Sequence, residues 1–412
     1  MGRGRVTLTN GTSKGLVLDL IRSRGPISRV ELAEATGLTQ ATMSTVVRQL
    51  IEDGLVAETG RGESTGGKPP VLLDINRASR FAVGVQLGNE SITYVVVNLS
   101  GAVVGRIRTV GIGASTPDTM VSVVANQIES TLDGLGIEKP LVVGVGIVAP
   151  GPIDIEGGAI LGPPHLTAWN RVPLRARLTA ALGVPVVLDN DATAAAVGEF
   201  WGGALGGAKA HATVYMGSGI GAGIVLDGAV FRGASSNTGE LGQFPIATTT
   251  PDARPGVVDE RIVLEDVAAP AAVAAAAYAC DGDLAPLQLT GASTFADFKG
   301  IATAAVHGNA LATALLTRSA EHLATATVAL ANVFDLDSIS LAGPAFAMAG
   351  SVYLRVLDDR LRREFFPRQR HGVRVRLAVN VADAAAVGAA ALVLQSELAP
   401  RTMGLTAGFQ TA

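Results

Sequence analysis

Two short stretches hold side chains whose types and spacing suit chemistry. In "PVVLDNDATAAAVGE" Asn190 and Asp191 follow an apolar run, and in "GELGQ" Glu240 and Gln243 stand close together. Carboxylates and carboxamides at fixed positions donate to and accept from pairs of hydroxyls, which gives stereochemical choice among hydroxyl-rich ligands. Asp191 also precedes an Ala-rich helix and could simply cap it, so residue type leaves both readings open. Two glycine loops carry a second chemistry. "VQLGNES" (85–91) and "MGSGIGAG" (216–223) each separate two apolar runs. Glycines let successive backbone N–H groups converge on a phosphate. "GSGIGAG" retains that capacity, whereas the first loop carries Asn89 and Glu90.

These side chains need strands and helices to hold them. Residues 83–106 and 213–233 follow one plan: strand, tight glycine loop, strand, a turn of Leu-Ser-Gly-Ala-Val or Leu-Asp-Gly-Ala-Val, then another strand. The turn glycines are Gly101 and Gly228. "LVVGVGIVAPGPID" and "SISLAGPAFAMAG" add strands that end in small-residue loops. Buried Val/Ile runs alternating with Ala-rich helices predict two α/β lobes with covered sheets and a cleft between them.

The first 80 residues read differently. "TSKGLVLDLIRSRG" predicts a helix with Leu16, Val17, Leu20 and Ile21 on one apolar face, ended by Gly25-Pro26. "SRVELAEATG" predicts a second, with a capping box of Ser28 and Glu31, Leu32 and Ala35 facing inward, and Gly37 as its stop. In a third, capped by Thr39, Met43, Val46, Val47 and Leu50 form one buried stripe. Its other face presents Gln40, Ala41, Thr42, Ser44, Thr45 and Arg48, with no acid before Glu52, which suits entry into a DNA major groove. Two short helices joined at Gly37 make a helix-turn-helix. "GLVAETG" and "VLLDI" then pair as a wing whose tip offers Arg61, Gly67 and Lys68. The candidate DNA contacts are Arg29, Thr39, Gln40, Thr42, Ser44, Thr45, Arg48, Arg61, Gly67 and Lys68. A three-helix packing module without nucleic acid is the bland alternative.

Composition agrees with this division. A chain of 412 residues exceeds what one core usually serves. Residues 1–80 carry a net charge of +3 and the remainder −7, a basic head on an acidic body, so the head alone is suited to meet a polyanion. No apolar run reaches the length of a membrane span, and the start lacks the apolar stretch of a secretory signal. The one cysteine, Cys280, excludes an intrachain disulfide and a cysteine-built zinc site, and it fits the cytoplasm.

The body resembles the ROK family of sugar kinases and sugar-responsive repressors, within the actin-like ATPase fold. The matching stretches, in order, are "GVGIVAPGPID", "AWNRVPL", "LDNDATAAAVGE", "YMGSGIGAGIVLDGAVFRGASSNTGELG", "SLAGPAFA" and "DAAAVGAAAL". The head is similar to that of the ROK repressors, on "GPISRVELAEATGLTQATMSTVVRQLIEDGLV" and "GGKPPVLL". The resemblance implies a winged helix-turn-helix over residues 1–78, a first α/β lobe over 79–197 completed by a C-terminal helix at about 384–398, and a second lobe over 198–383. It implies sugar contacts at Asn190, Asp191, Glu240 and Gln243, and in kinases a general base at the position of Asp191.

Departures from the family pattern matter. Gln243 stands where the family usually has His, and "FPIATTTPDARPGVVDERIVLED" lacks the cysteine cluster that holds a structural zinc, so no zinc is expected. Glu265 keeps its place in "VLE" as a sugar contact, and His165 replaces a common Asn as a further candidate. In the first glycine loop the kinases' Asp-x-Gly-Gly-Thr-Lys is replaced by Gln86, Leu87, Gly88, Asn89, Glu90 and Ser91. Gln86 removes the carboxylate that helps order magnesium, and Ser91 removes a cation. Glu90 adds charge near the phosphate seat, where like charges about 4 Å apart repel by roughly 4 kcal/mol; the milder alternative is a Glu90 turned to solvent. ATP is therefore not expected, and the kinase activity is expected to be lost. The resemblance implies a cytoplasmic repressor with operator DNA and a sugar or sugar phosphate as partners, working as a homodimer or homotetramer. The rival readings are an active sugar kinase with a regulatory head, and a repressor with a vestigial pocket controlled by protein contact.

Overall fold

The computed structural model of the chain describes residues 10–63, 69–113, 115–162, 169–202, 205, 207–246, 262–281 and 283–398. The head consists of α1 (Asn10–Arg24), β1 (Ile27–Ser28), α2 (Arg29–Thr36), α3 (Gln40–Glu52), β2 (Val56–Arg61) and β3 (Val71–Ile75). Its sheet has the order β1-β3-β2, so the wing gains a short third strand that sequence reading missed. Local chemistry sets the helix ends. Ser28 Oγ accepts from Glu31 N at 3.3 Å while Glu31 Oε2 accepts from Ser28 N at 2.8 Å, closing the capping box. Gly37 takes the left-handed conformation at φ 69°, which ends α2 and turns the chain into α3.

Met43, Val46, Val47 and Leu50 are buried as their spacing predicts. Ala35 is a correction: it is exposed, and Ala33 is buried instead. The inward stripe of α2 runs through Arg29, Leu32, Ala33 and Thr36, an i, i+3, i+4, i+7 set on which Ala35 has no place. In α1, Val17 and Ile21 are buried but Leu16 and Leu20 only half so, and Leu18 and Asp19 are buried on a second side of the helix.

The body repeats one topology. β4 (Phe81–Gln86), β5 (Ser91–Asn98), β6 (Val103–Val110), α4 (Pro117–Gly134), β7 (Val142–Ala149), β8 (Ile153–Asp154), β9 (Ala159–Ile160), α5 (Leu174–Leu182), β10 (Val186–Asn190) and α6 (Asp191–Trp201) come first. β11 (Ala210–Met216), β12 (Ile220–Leu226), β13 (Ala229–Val230), α7 (Leu264–Ala268), α8 (Pro270–Tyr278), α9 (Thr294–Val306), α10 (Ala310–Phe334), β14 (Ser338–Ala342), α11 (Pro344–Glu364), β15 (Arg374–Leu377) and α12 (Ala384–Leu398) follow. The two large sheets have the orders β10-β7-β4-β5-β6 and β13-β12-β11-β14-β15. Each is a parallel trio extended by an antiparallel meander, as the repeated sequence plan predicts. Gly101 and Gly228 occupy equivalent turns at φ 86° and 77°.

α6 and α12 pack together between the sheets, and this placement depends on absent side chains. A Cβ on Gly388 of α12 would collide with the Ala194 carbonyl, and one on Gly198 of α6 would lie 3.1 Å from the Gly388 backbone. Cβ atoms on Gly84 and Gly146 would strike the carbonyls of Ala386 and Ala389. Backbones at this separation have no room for even one methyl group. Gly388→Ala is expected to lower stability by about 1–3 kcal/mol, read as a lower urea midpoint at unchanged slope; a wild-type midpoint would mean that the two helices do not pack this closely.

Candidate functional site

The cleft is built from strand ends and the first turns of helices. Asn190 ends β10 and caps α6: its Oδ1 accepts from Ala192 N at 2.9 Å and Thr193 N at 3.1 Å. The capping role open to Asp191 thus falls on its neighbour. Asp191 Oδ1 accepts instead from the adjacent Ala192 N–H, at 2.8 Å. The Asn190 amide faces the loop at Gly151, where an added Cβ would lie 3.2 Å from Nδ2 and would collide with Glu240 Oε1. Glu265, in the first turn of α7, accepts from Ile220 N at 2.9 Å, and its second oxygen accepts from Gln243 Nε2 at 3.4 Å. Asn190, Asp191, Glu240, Gln243 and Glu265 therefore converge. His165 lies outside the described residues, as do Gly67 and Lys68.

The electrostatics set this group apart. Loss of solvent pushes the Asp191 carboxyl up to about 7, and Glu240 and Glu265 add repulsion against the Ala192 N–H. Glu240 is also raised, by burial first and then by Glu265. The neighbouring Asp189 is treated in the opposite way: Arg232 grips both its oxygens at 2.7 and 3.2 Å. Sequence reading missed this pair, although a buried acid in an apolar strand calls for a cation. It also missed Asn237, which clamps the backbone of Ile153 through Ile153 N at 2.6 Å and Ile153 O at 3.0 Å.

The glycine loops correct one expectation and remove one alternative. In the second loop only Gly217, Ser218 and Gly219 form the turn, because Gly221 and Gly223 lie within β12. A Cβ on Gly223 would come within 2.6 Å of the Ala196 Cβ, and one on Gly221 within 2.9 Å of the Ala192 Cβ. Those glycines make room for α6, so the whole run is not a phosphate cradle. In the first loop Glu90 does not turn to solvent. It accepts from Thr294 N at 3.0 Å and Phe295 N at 3.4 Å in the first turn of α9, across the cleft. The carboxylate satisfies donors that a helix start leaves open and that suit any anion. Gln86 Nε2 donates to the Tyr215 hydroxyl, again from one lobe to the other. Asn89 is exposed, and Ser91 begins β5 opposite Val110.

In the head, Gln40, Ser44, Thr45 and Arg48 lie exposed on α3. Thr39 and Thr42 are committed to the helix start, with hydroxyls 2.9 Å apart, and Thr45 Oγ1 donates to Ala41 O at 3.1 Å. Arg29 is held by Glu58 of β2 at 2.8 Å, which ties α2 to the wing. Arg61 is exposed at the end of β2.

Gln243 offers an amide, Cys280 Sγ donates to Ala276 O at 3.2 Å, and among the described residues no group of three His, Cys, Asp or Glu is placed to hold a metal ion. Among the same residues no helix is long and apolar enough to cross a membrane.

Comparison with known proteins accounts for this combination. The ROK family model matches residues 82–396, and the MarR family model matches residues 13–59. The chain belongs to the ROK family. It is 29% identical over 399 residues to a "Putative xylose repressor" of Caldicellulosiruptor sp. (strain Rt8B.4), covering 96% of this chain and 98% of the relative. A crystal structure of a ROK family transcriptional regulator, a homologue of the E. coli MLC protein, superposes with a TM-score of 0.75 at 25% identity, covering 95% of this chain and 97% of that one. A ROK family glucokinase from Streptomyces griseus, in complex with glucose and AMPPNP, matches with a TM-score of 0.64 at 26% identity, covering 76% of this chain and 98% of that one.

Two outcomes follow from this geometry. Arg48→Ala is expected to weaken DNA binding and make its salt dependence shallower, as loss of one cation from the exposed α3 face requires; unchanged affinity at physiological salt would remove α3 from the interface. The raised Asp191 carboxyl holds its proton in the folded chain over a pH range where the unfolded chain has lost it. Wild-type stability should therefore fall from pH 4 towards 7 relative to Asp191→Asn. Parallel melting curves across that range would show that Asp191 titrates normally.

Proposed function

We propose that this chain is a DNA-binding transcriptional repressor that binds an unphosphorylated sugar in its cleft. The observation that carries the reading is the convergence of Asn190, Asp191, Glu240, Gln243 and Glu265 in a ROK body joined to a winged head. Hydroxyls that donate to these carboxylates would relieve their mutual repulsion. A sugar phosphate would add to it, since Arg232 is already committed to Asp189. The family's zinc has no part in this site.

The kinase chemistry of the fold is given up in this reading. Gln86 and Glu90 bind the opposite lobe, and these contacts support a first loop given over to the protein's own interactions rather than to nucleotide and magnesium. The protein works in the cytoplasm as an even-numbered homo-oligomer on a two-fold operator. Sugar binding alters DNA affinity to the extent that it favours one arrangement of lobes and head over another, typically by about 1–3 kcal/mol.

One observation favours a second reading. A carboxyl raised to about 7, as in Asp191, is matched to general-base work at neutral pH. An ADP-release assay over D-glucose, D-xylose and N-acetylglucosamine separates the two, and turnover at the roughly 1–100 per second of sugar and protein kinases would overturn the loss of activity. The repressor reading is tested by mobility shift on a DNA element selected by the protein from a random pool, with and without each sugar. Asp191→Ala is expected to abolish the sugar response while DNA binding persists; loss of both would make Asp191 structural.

A further inference from the structure

We propose that α6 couples the cleft to the DNA-binding head, with the stacked pair Arg22 and Trp201 as its point of contact. The proposal rests on the sugar-repressor reading and deepens it. Asn190 and Asp191 stand at one end of α6, and Trp201 ends it, about 16 Å away for a helix of this length. Along that length α6 has little freedom. Gly221 and Gly223 of β12 fit beneath Ala192 and Ala196, and Gly388 of α12 fits against Ala194 and Gly198. A helix seated by backbone contact moves as a unit with what it touches. Ligand hydroxyls that bond both Asp191 on α6 and Glu240 or Gln243 on the second lobe would draw on its near end.

The far end meets the head. α1 carries a second inward stripe, Gly15, Leu18, Asp19 and Arg22, at i, i+3, i+4 and i+7 and distinct from the stripe of Val17 and Ile21. The Arg22 guanidinium lies 4.0 Å from the centroid of the Trp201 ring and donates to the Trp201 carbonyl. Asp19 Oδ1 steadies it at 2.7 and 3.3 Å. The Arg22 and Asp19 side chains are 7% and 12% exposed, so this cation is withdrawn from water and from any DNA phosphate. The Trp201 ring has space beside it: its Nε1 has no hydrogen-bond partner among the described residues, and it borders a void of about 40 Å³ with Gly101, Glu199 and Val379. A guanidinium locked on an indole with open space behind it is a contact that a displaced α6 would break or shift.

The experiment uses the full chain, a DNA element selected from a random pool, and D-xylose, D-glucose and N-acetylglucosamine as probes. The readout is the ratio of DNA Kd with and without saturating sugar, with sugar binding followed separately by calorimetry. In the wild type a ratio of roughly five- to 150-fold is expected, the usual span of such couplings. Arg22→Ala and Trp201→Ala should bring it close to one while each ligand still binds alone, and the double variant should lose no more than either single. Should either alanine variant fail to fold, Arg22→Lys, which keeps charge but not the planar stack, should lower the ratio, and Trp201→Phe should keep most of it. Variants that retain the wild-type ratio, or an Arg22→Lys that loses sugar binding, would overturn the coupling and leave the sugar-repressor reading intact. A wild type that binds DNA but whose affinity ignores every sugar sinks that reading, and the coupling with it.

Discussion

The position of α6 rests on a single constraint, the approach of two helix backbones and one strand so close that the facing glycines have no room for a methyl group. Its sequence, Asp-Ala-Thr-Ala-Ala-Ala-Val-Gly-Glu-Phe-Trp, is nearly all small residues on the faces that meet β12 and α12. Gly221, Gly223 and Gly388 complete the fit from the opposing elements. Because the helix sits so deep, Asn190 and Asp191 at its start reach the same space as Glu240 and Glu265 from the second lobe. Larger residues would hold the lobes apart and leave these side chains facing solvent. The chemistry of the cleft is thus a consequence of close backbone packing, glycine against helix, away from the cleft side chains themselves.

Acids in and around α6 meet two fates. Glu199, buried in its last turn, accepts from Val379 N at 2.9 Å, Ser340 Oγ at 3.2 Å and Arg376 at 2.7 Å. Asp189 has Arg232. Both are fully compensated, as a buried charge must be. Asp191 and Glu240 are left to repel each other and Glu265. Cations meet these two structural acids, whereas the mutual repulsion of Asp191, Glu240 and Glu265 leaves that cluster able to gain from an added hydrogen-bond donor. Hydroxyls supply donors without bringing charge.

The two glycine loops began from one plan and now serve different contacts. In the second, Glu265 reaches back to Ile220 N and ties the turn to the cluster. In the first, Gln86 and Glu90 reach outward to Tyr215 and to the first turn of α9. A helix start has open donors and a partial positive charge, so it accepts a carboxylate as readily as a phosphate. The negative group at this helix belongs to the chain itself, and in this structure it links the two lobes.

Much of this was legible in the sequence. Capping boxes, left-handed stops and apolar stripes act within one or two helical turns, so spacing encodes them, and the head's helices and the repeated strands could be read directly. The same holds for the DND and GELGQ segments, whose residue types declare hydrogen-bonding chemistry wherever they are placed. Tertiary structure alone decided which partners those groups meet. Ala33 rather than Ala35 faces inward because of how α2 lies on its neighbours, and Arg29 is held by Glu58 of the wing. Gly221 and Gly223 serve a helix rather than a phosphate, and Glu90 finds its donors 204 residues away. The physical reason is range: a hydrogen bond or a methyl-sized gap is decided over a few ångströms in space, and sequence separation carries no record of which distant backbone comes that close.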